Sequence, residues 1–193
     1  MNKKITLAVV FFIFLGILLP LLFSLLFSNQ RSSTIVIDQR IQAPYLRHTS
    51  KDWILVYFGY VGCVKVCTPI LQNLDNFYDS QSFESLKESV GFVFINLMPE
   101  VERSQPDAFA KSFNPKFEGF YLTQKELMSI DREFNVFFSK SLRDVTEINH
   151  SDYVYLVQRK QNGDLILKNI YATHPLNREL IITDIDRLQK ETK

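Results

Sequence analysis

Cys63 and Cys67 are the only thiols in a chain of 193 residues, and three residues separate them in FGYVGCVKVCTP. On a helical turn, residues four apart project to the same side. Their Cα atoms then lie about 6 Å apart, inside the usual disulfide range. The same separation lets both sulfurs close on one ion. Three kinds of chemistry follow. A structural disulfide would close a loop of a few residues and so add little stability. A redox pair is the second reading, although such pairs usually keep two residues between the cysteines rather than three. The third is a metal site. Two thiolates need at least one further ligand, and a soft, sulfur-rich set selects Cu(I), or Zn²⁺ with a fourth ligand.

Three histidines are available as that ligand: His48, His150 and His174. His150 lies in EINHSDYVYLV, on a polar segment just before an apolar run. His174 lies in YATHP, before the last helical segment, and His48 lies in a loop near the start of the domain. Spacing alone does not choose among them, and each also suits an ordinary surface or turn position. Lys65, between the cysteines, is placed to offset thiolate charge or simply to be solvated. Met98 offers a thioether or packs in the core.

These residues need elements to hold them. Trp53 to Tyr57, WILVY, is a continuous apolar run of buried-strand type, broken by Gly59 and Gly62. Glycines there let the backbone turn sharply. From about Thr68, Ile70, Leu71, Leu74, Phe77 and Tyr78 recur with helical spacing. Thr68 reads as the N-cap and Pro69 as the first helical residue. The cysteines thus fall where a strand hands over to a helix, the place where α/β sheets concentrate their chemistry. A helix N-terminus also favours thiolate. Further along, Gly91–Leu97 is a second buried strand, and 106–113 is a helix. Phe117–Leu122 is a short strand, and a Thr123–Glu126 capping box opens a helix to about Phe134. Tyr153–Val157 is a third strand, QNGD at 161–164 a tight turn, Leu165–Tyr171 its hairpin partner, and Leu176–Lys190 an amphipathic helix. Strands alternating with helices indicate an α/β sandwich around a mixed sheet.

The chain opens differently. Lys3 and Lys4 precede an uncharged apolar run from Ile5 to Phe27, and about 20 apolar residues suffice to span a bilayer as a helix. Residues 1–28 therefore read as an uncleaved transmembrane anchor, its lysines holding the N-terminus in the cytoplasm and the rest exported. Residues 29–34 read as a polar linker and 35–193 as one compact domain. The whole chain carries 22 basic and 21 acidic residues. Setting aside Lys3 and Lys4 leaves a nearly neutral domain with no basic stripe, which argues against nucleic acid as a partner.

WILVYFGYVGCVKVC followed by ILQNL, and INHSDYVYLV followed by a glycine-containing hairpin, resemble the SCO/SenC copper-chaperone family. INLMPEVERSQPDAFAKSFNPKFEGF resembles its strand, proline-containing loop and helix order. The resemblance runs from about Ile35 to the C-terminus. It implies a thioredoxin-like three-layer sandwich with copper, as Cu(I) or its oxidised form Cu(II), held by Cys63, Cys67 and His150. It implies a membrane-anchored metallochaperone facing the periplasm or intermembrane space. Its partner would be the copper-site subunit of cytochrome c oxidase, to which it delivers copper or whose cysteines it reduces. The alternative is a thiol–disulfide oxidoreductase, or redox-responsive protein, acting through Cys63 and Cys67. Val64 and Thr68 stand where the family often has proline. Met98 and Asn149 stand where it usually has aspartate.

Overall fold

The computed structural model describes residues 12–16, 18–20, 22, 34–142, 144, 147–172 and 175–191. The chain divides into two compact units, Met1–Ser33 and Thr34–Lys193. In the first unit, residues 12–16, 18–20 and 22 are helical and exposed. Among the described residues, no helix is long and apolar enough to cross a membrane. Most of the expected anchor, and His174, lie outside the described residues.

The second unit is built on β2 (Trp53–Gly59), β3 (Val90–Asn96), β7 (Val154–Arg159) and β8 (Leu165–Tyr171). With β1 (Thr34–Ile41) and β4 (Glu118–Tyr121) they form a six-stranded sheet of order β1-β8-β7-β2-β3-β4. The strands β2, β3 and β4 run parallel, whereas β7, β8 and β1 pair antiparallel. The parallel neighbours β2 and β3 are buried at every position, because each face of the sheet is covered. Trp53, Leu55 and Tyr57 alternate onto one face, under α1 (Cys67–Tyr78) and α5 (Arg178–Glu191). Ile54, Val56 and Phe58 alternate onto the other, under α3 (Gln124–Leu127) and α4 (Ile130–Phe134). A period of two on a two-sided sheet yields two cores. The result is a thioredoxin-like α/β fold with a mixed sheet.

Several local expectations shift. Residues 34–41, left mostly without an element by the sequence, form edge strand β1, whose alternation is broken by a bulge near Asp38, with φ at 56°. The expected helix from the capping box to Phe134 is two short ones. The box itself forms, but Ser129 Oγ donates back to the Glu126 carbonyl at 2.8 Å, a local bond that competes with helix continuation. The helix expected at 106–113 is α2 (Gln105–Lys111). The hairpin at Lys160–Asp164 forms as expected, with Gly163 at φ 83°. A ribbon apart from the main sheet pairs β5 (Phe138–Lys140) with β6 (Ile148–His150). Nothing in its short, mixed-polarity sequence announced a strand.

Candidate metal centre

The strand β2 ends at Gly59, and the chain then turns through Tyr60–Val66 into α1. Asn96, the last residue of β3, fixes this turn. Its side chain is fully buried, accepts the Val61 N–H at 3.1 Å and donates to the Met98 carbonyl. Leu97 N–H donates to the Gly59 carbonyl at 2.7 Å. Gly62, at φ 87°, takes the left-handed conformation that glycine adopts without strain.

The helix begins two residues earlier than its sequence suggests. Val66, not Thr68, is the N-cap, and it offers no side-chain cap. Cys67 N–H instead donates to Cys63 Sγ at 3.3 Å. Thr68 donates through both its backbone N–H (3.2 Å) and its hydroxyl (3.0 Å) to the Cys63 carbonyl. Thr68 therefore ties Cys63 to the helix start. Pro69 still falls in the first turn, where a missing N–H costs nothing.

Both cysteines are free and buried, Cys63 at 4% and Cys67 at 0% exposure. A Cβ placed on Gly59 would lie 2.6 Å from Cys67 Sγ, so the sulfur occupies space that only glycine leaves open. From the other side, the β5–β6 ribbon brings His150 inward, its Nε2 3.7 Å from Cys67 Sγ. The imidazole Nδ1 lies 2.9 Å from the Ser151 carbonyl. A carbonyl only accepts, so Nδ1 carries a proton, and Nε2 is the nitrogen left to face the sulfurs, as a donor when the ring is charged and as a lone pair when it is neutral. The Tyr60 ring stands edge-on to the imidazole, centroids 6.0 Å apart.

The donor atoms of Cys63, Cys67 and His150 all lie within 4.8 Å of one another. Among the described histidines, cysteines and acidic residues, these three form the one group compact enough to share an ion. Two soft sulfurs and one nitrogen fit a three-coordinate soft ion better than Zn²⁺, which takes four ligands in structural sites. His48 is not among them. It ends a 3₁₀ turn (Pro44–His48), and the carbonyls of Leu46 and Arg47 in that turn accept from Arg159, at the far end of the sheet. Met98 instead lines an apolar groove of about 410 Å³ beyond the ribbon, with Leu127 and Phe138.

The two sulfurs are not equivalent. The Cys63 thiol lies well below the usual thiol range, because Cys67 donates to its thiolate. Burial opposes this, and His150 and backbone N–H groups reinforce it. The Cys67 thiol is pushed up, by the same neighbour and by burial. One proton is thus shared, and Cys63 is the sulfur that gives its own up. Burial pulls His150 down, but the Cys63 thiolate and the Ser151 carbonyl outweigh it, so its pKa is raised.

A cleft of about 570 Å³ opens over Cys63 and His150, lined also by Tyr60, Lys65, Glu147 and Asp152. Lys65 pairs with Glu147 at 3.2 Å across its mouth, joining the cysteine loop to the segment that carries His150. The sequence reading gave Gly59 a part in the turn but not in making room for Cys67 Sγ, and it overlooked Asn96, Ser151 and Glu147 as supports. The one visible signal was Asn96, a polar residue closing an otherwise apolar strand.

A model of the SCO1/SenC family matches residues 37–188. The human mitochondrial protein SCO1 homolog is 29% identical over 147 residues, covering 66% of this chain and 48% of that protein. The chain spans about half the length, or less, of the curated relatives it matches. Arabidopsis thaliana ScoI, solved with copper bound, superposes with a TM-score of 0.59 at 24% identity, covering 72% of this chain and 85% of that one. Yeast Sco1 with copper bound superposes at 0.57 with 17% identity, covering 81% and 88%.

Proposed function

The chain belongs to the SCO1/SenC family, and from that premise we propose that it binds Cu(I) through Cys63, Cys67 and His150 as a metallochaperone of cytochrome c oxidase assembly. One observation carries the reading: two sulfurs and the His150 Nε2 converge within 4.8 Å at the base of an open cleft. Cu(I) is the cargo. Cys63 is poised as the thiolate that meets it first, and Cys67 surrenders its proton on binding. His150 contributes a neutral nitrogen whose tautomer the Ser151 carbonyl has already set. Loading is thereby linked to redox state, since a disulfide offers no thiolate. The client is the copper-site subunit of cytochrome c oxidase, at its dinuclear copper site.

We also propose the arrangement along the chain. Residues 1–28 anchor it with the N-terminus in the cytoplasm, 29–34 are a linker, and 35–193 form the copper-binding domain on the exported side, periplasm or intermembrane space. Lys3 and Lys4 before the uncharged run from Ile5 to Phe27 support this.

A second reading, reduction of a partner's disulfide, is favoured by the depressed Cys63 thiol beside a protonated Cys67. A low-pKa thiolate is the nucleophile in such exchange. Histidine separates the readings, because thiol exchange does not need His150. The test is an anaerobic Cu(I) titration of the reduced chain against a competing chelator, followed by X-ray absorption. One Cu(I) per chain, with two sulfurs and one nitrogen around it, is expected. No uptake, or a shell without nitrogen, overturns the assignment.

A further inference from the structure

Single exposed apolar side chains are ordinary on a protein surface, but here they are confined to one end of the sheet. Val64 and Val66 flank Lys65 in the cysteine turn and line the mouth of the cleft. Phe137, 67% exposed, immediately precedes β5, and its carbonyl accepts the Ser151 N–H beside His150 at 2.9 Å. Met128, 76% exposed between α3 and α4, shares a shallow depression with Phe137. Leu142, fully exposed, follows Ser141, whose N–H donates to the carbonyl of Glu147 at the cleft. Ile35 and Val36 open β1. Among the described residues from Thr34 onward, the opposite end, where Trp53, Arg159 and the turn at 161–164 lie, exposes no large apolar side chain.

Register places the chain's entry into the sheet at this same end. Thr34 pairs with Tyr171, Tyr171 with Val154, and Val154 with Tyr57, near the end of β2. Three strand spacings put Thr34 about 14 Å from Tyr57, while β2 runs about 20 Å away from the metal centre to Trp53. Residues 29–34 reach at most about 20 Å when fully extended. A membrane anchor ending at Ser28 therefore keeps the metal-bearing end, rather than the Trp53 end, close to the bilayer. We propose that this end is a lipid-facing surface: Phe137, Met128 and Leu142 settle into the headgroup region, and the cleft opens just above it. The inference rests on the anchor reading given above. Lys65 pairs with Glu147 and Lys140 with Glu100 around these side chains, so local charge cancels. Attachment is then apolar and needs no anionic lipid. Such a cleft serves a client whose acceptor site stands close over the same membrane.

Trp53 is the only tryptophan of the chain and is buried at the far end, so fluorescence reads the orientation directly. The full chain is reconstituted into phosphatidylcholine vesicles, with and without lipids that carry a nitroxide on the headgroup. Three variants each add one tryptophan: Phe137→Trp and Met128→Trp at the metal-bearing end, and Gln161→Trp on the exposed turn at the opposite end. The nitroxide is expected to remove most of the emission added by Phe137→Trp and Met128→Trp, and to leave Trp53 and Gln161→Trp bright. Met128→Trp carries the test alone if Phe137→Trp fails to fold. Adding anionic phosphatidylglycerol is expected to change nothing. Chains that float with the vesicles but keep Phe137→Trp and Met128→Trp bright, or lose Gln161→Trp equally, overturn the inference and leave the anchor standing. The exposed side chains would then await a protein partner rather than lipid. Chains that do not float with the vesicles overturn the anchor reading and this inference with it.

Discussion

At the scale of single residues, His150 is the decisive side chain, because a two-thiolate site differs from a two-thiolate-plus-imidazole site only there. His150→Ala is expected to weaken Cu(I) binding by more than the 10–100-fold that an outer-sphere change costs, measured by chelator competition. His48→Ala is expected to leave it unchanged. Equal loss in both would remove the ligand assignment. The pH behaviour follows from the raised His150 pKa. Its folded value lies above its unfolded one, so its contribution to metal-free stability is full below the unfolded pKa of about 6.5 and disappears as pH rises through the folded value. Copper affinity runs the other way, since the imidazole must lose its proton to bind. Denaturant titrations of metal-free parent and His150→Gln between pH 5 and 8 are expected to converge as pH rises, while parent Cu(I) affinity climbs. Gly59 sets a steric limit. Gly59→Ala places a methyl 2.6 Å from Cys67 Sγ, an overpacking expected to cost about 1–3 kcal/mol in chemical denaturation and to displace the sulfur from its place near His150.

At the scale of elements, the centre is an agreement between three pieces: the carboxyl end of β2, the first turn of α1, and the β5–β6 ribbon. The first two are continuous in sequence and were legible there as an apolar run, glycines, cysteines and a helical repeat. The ribbon was not. A pair of three-residue strands carries no periodicity to detect, and it forms because β5 and β6 satisfy each other's backbone groups above the cleft. Asn96 is the buried peg between β3 and the cysteine turn. Asn96→Leu leaves the Val61 N–H without its acceptor, at an expected cost of about 1–3 kcal/mol. It should also slacken the loop that presents Cys63. Thermal denaturation and Cu(I) affinity should fall together, and a fall in neither would mean that the peg is dispensable. Lys65 and Glu147 span the cleft mouth, but an exposed pair of this kind contributes at most about 1 kcal/mol. The ribbon's position must therefore rest mainly on packing, with Ile148 and Phe138 against the core beneath it.

For the whole molecule, the proposed arrangement would have residues 1–28 set the compartment while the compact unit from Thr34 onward holds the ion. A reporter enzyme fused after Lys193 is expected to be active only on the exported side of the membrane. Cytoplasmic activity would refute export, and with it the disulfide-permissive setting proposed for this thiol pair.

The sequence by itself determined the chemistry available and the frame to carry it. Two soft thiols four residues apart admit few uses, and strongly periodic segments report their burial directly, which is why β2, β3, β8, α1 and α5 were legible. Spacing left the choice among the histidines open and the resemblance pointed to His150; the tertiary structure brings that side chain to Cys67 across 83 residues of chain, on a ribbon without a local signal. It also decided that Cys63 caps the helix where Thr68 was expected to, and that Cys63 carries the thiolate while Cys67 keeps the proton. Those outcomes depend on which backbone N–H faces which sulfur, and on how much space Gly59 leaves, quantities that exist only once strand, turn and helix are packed together.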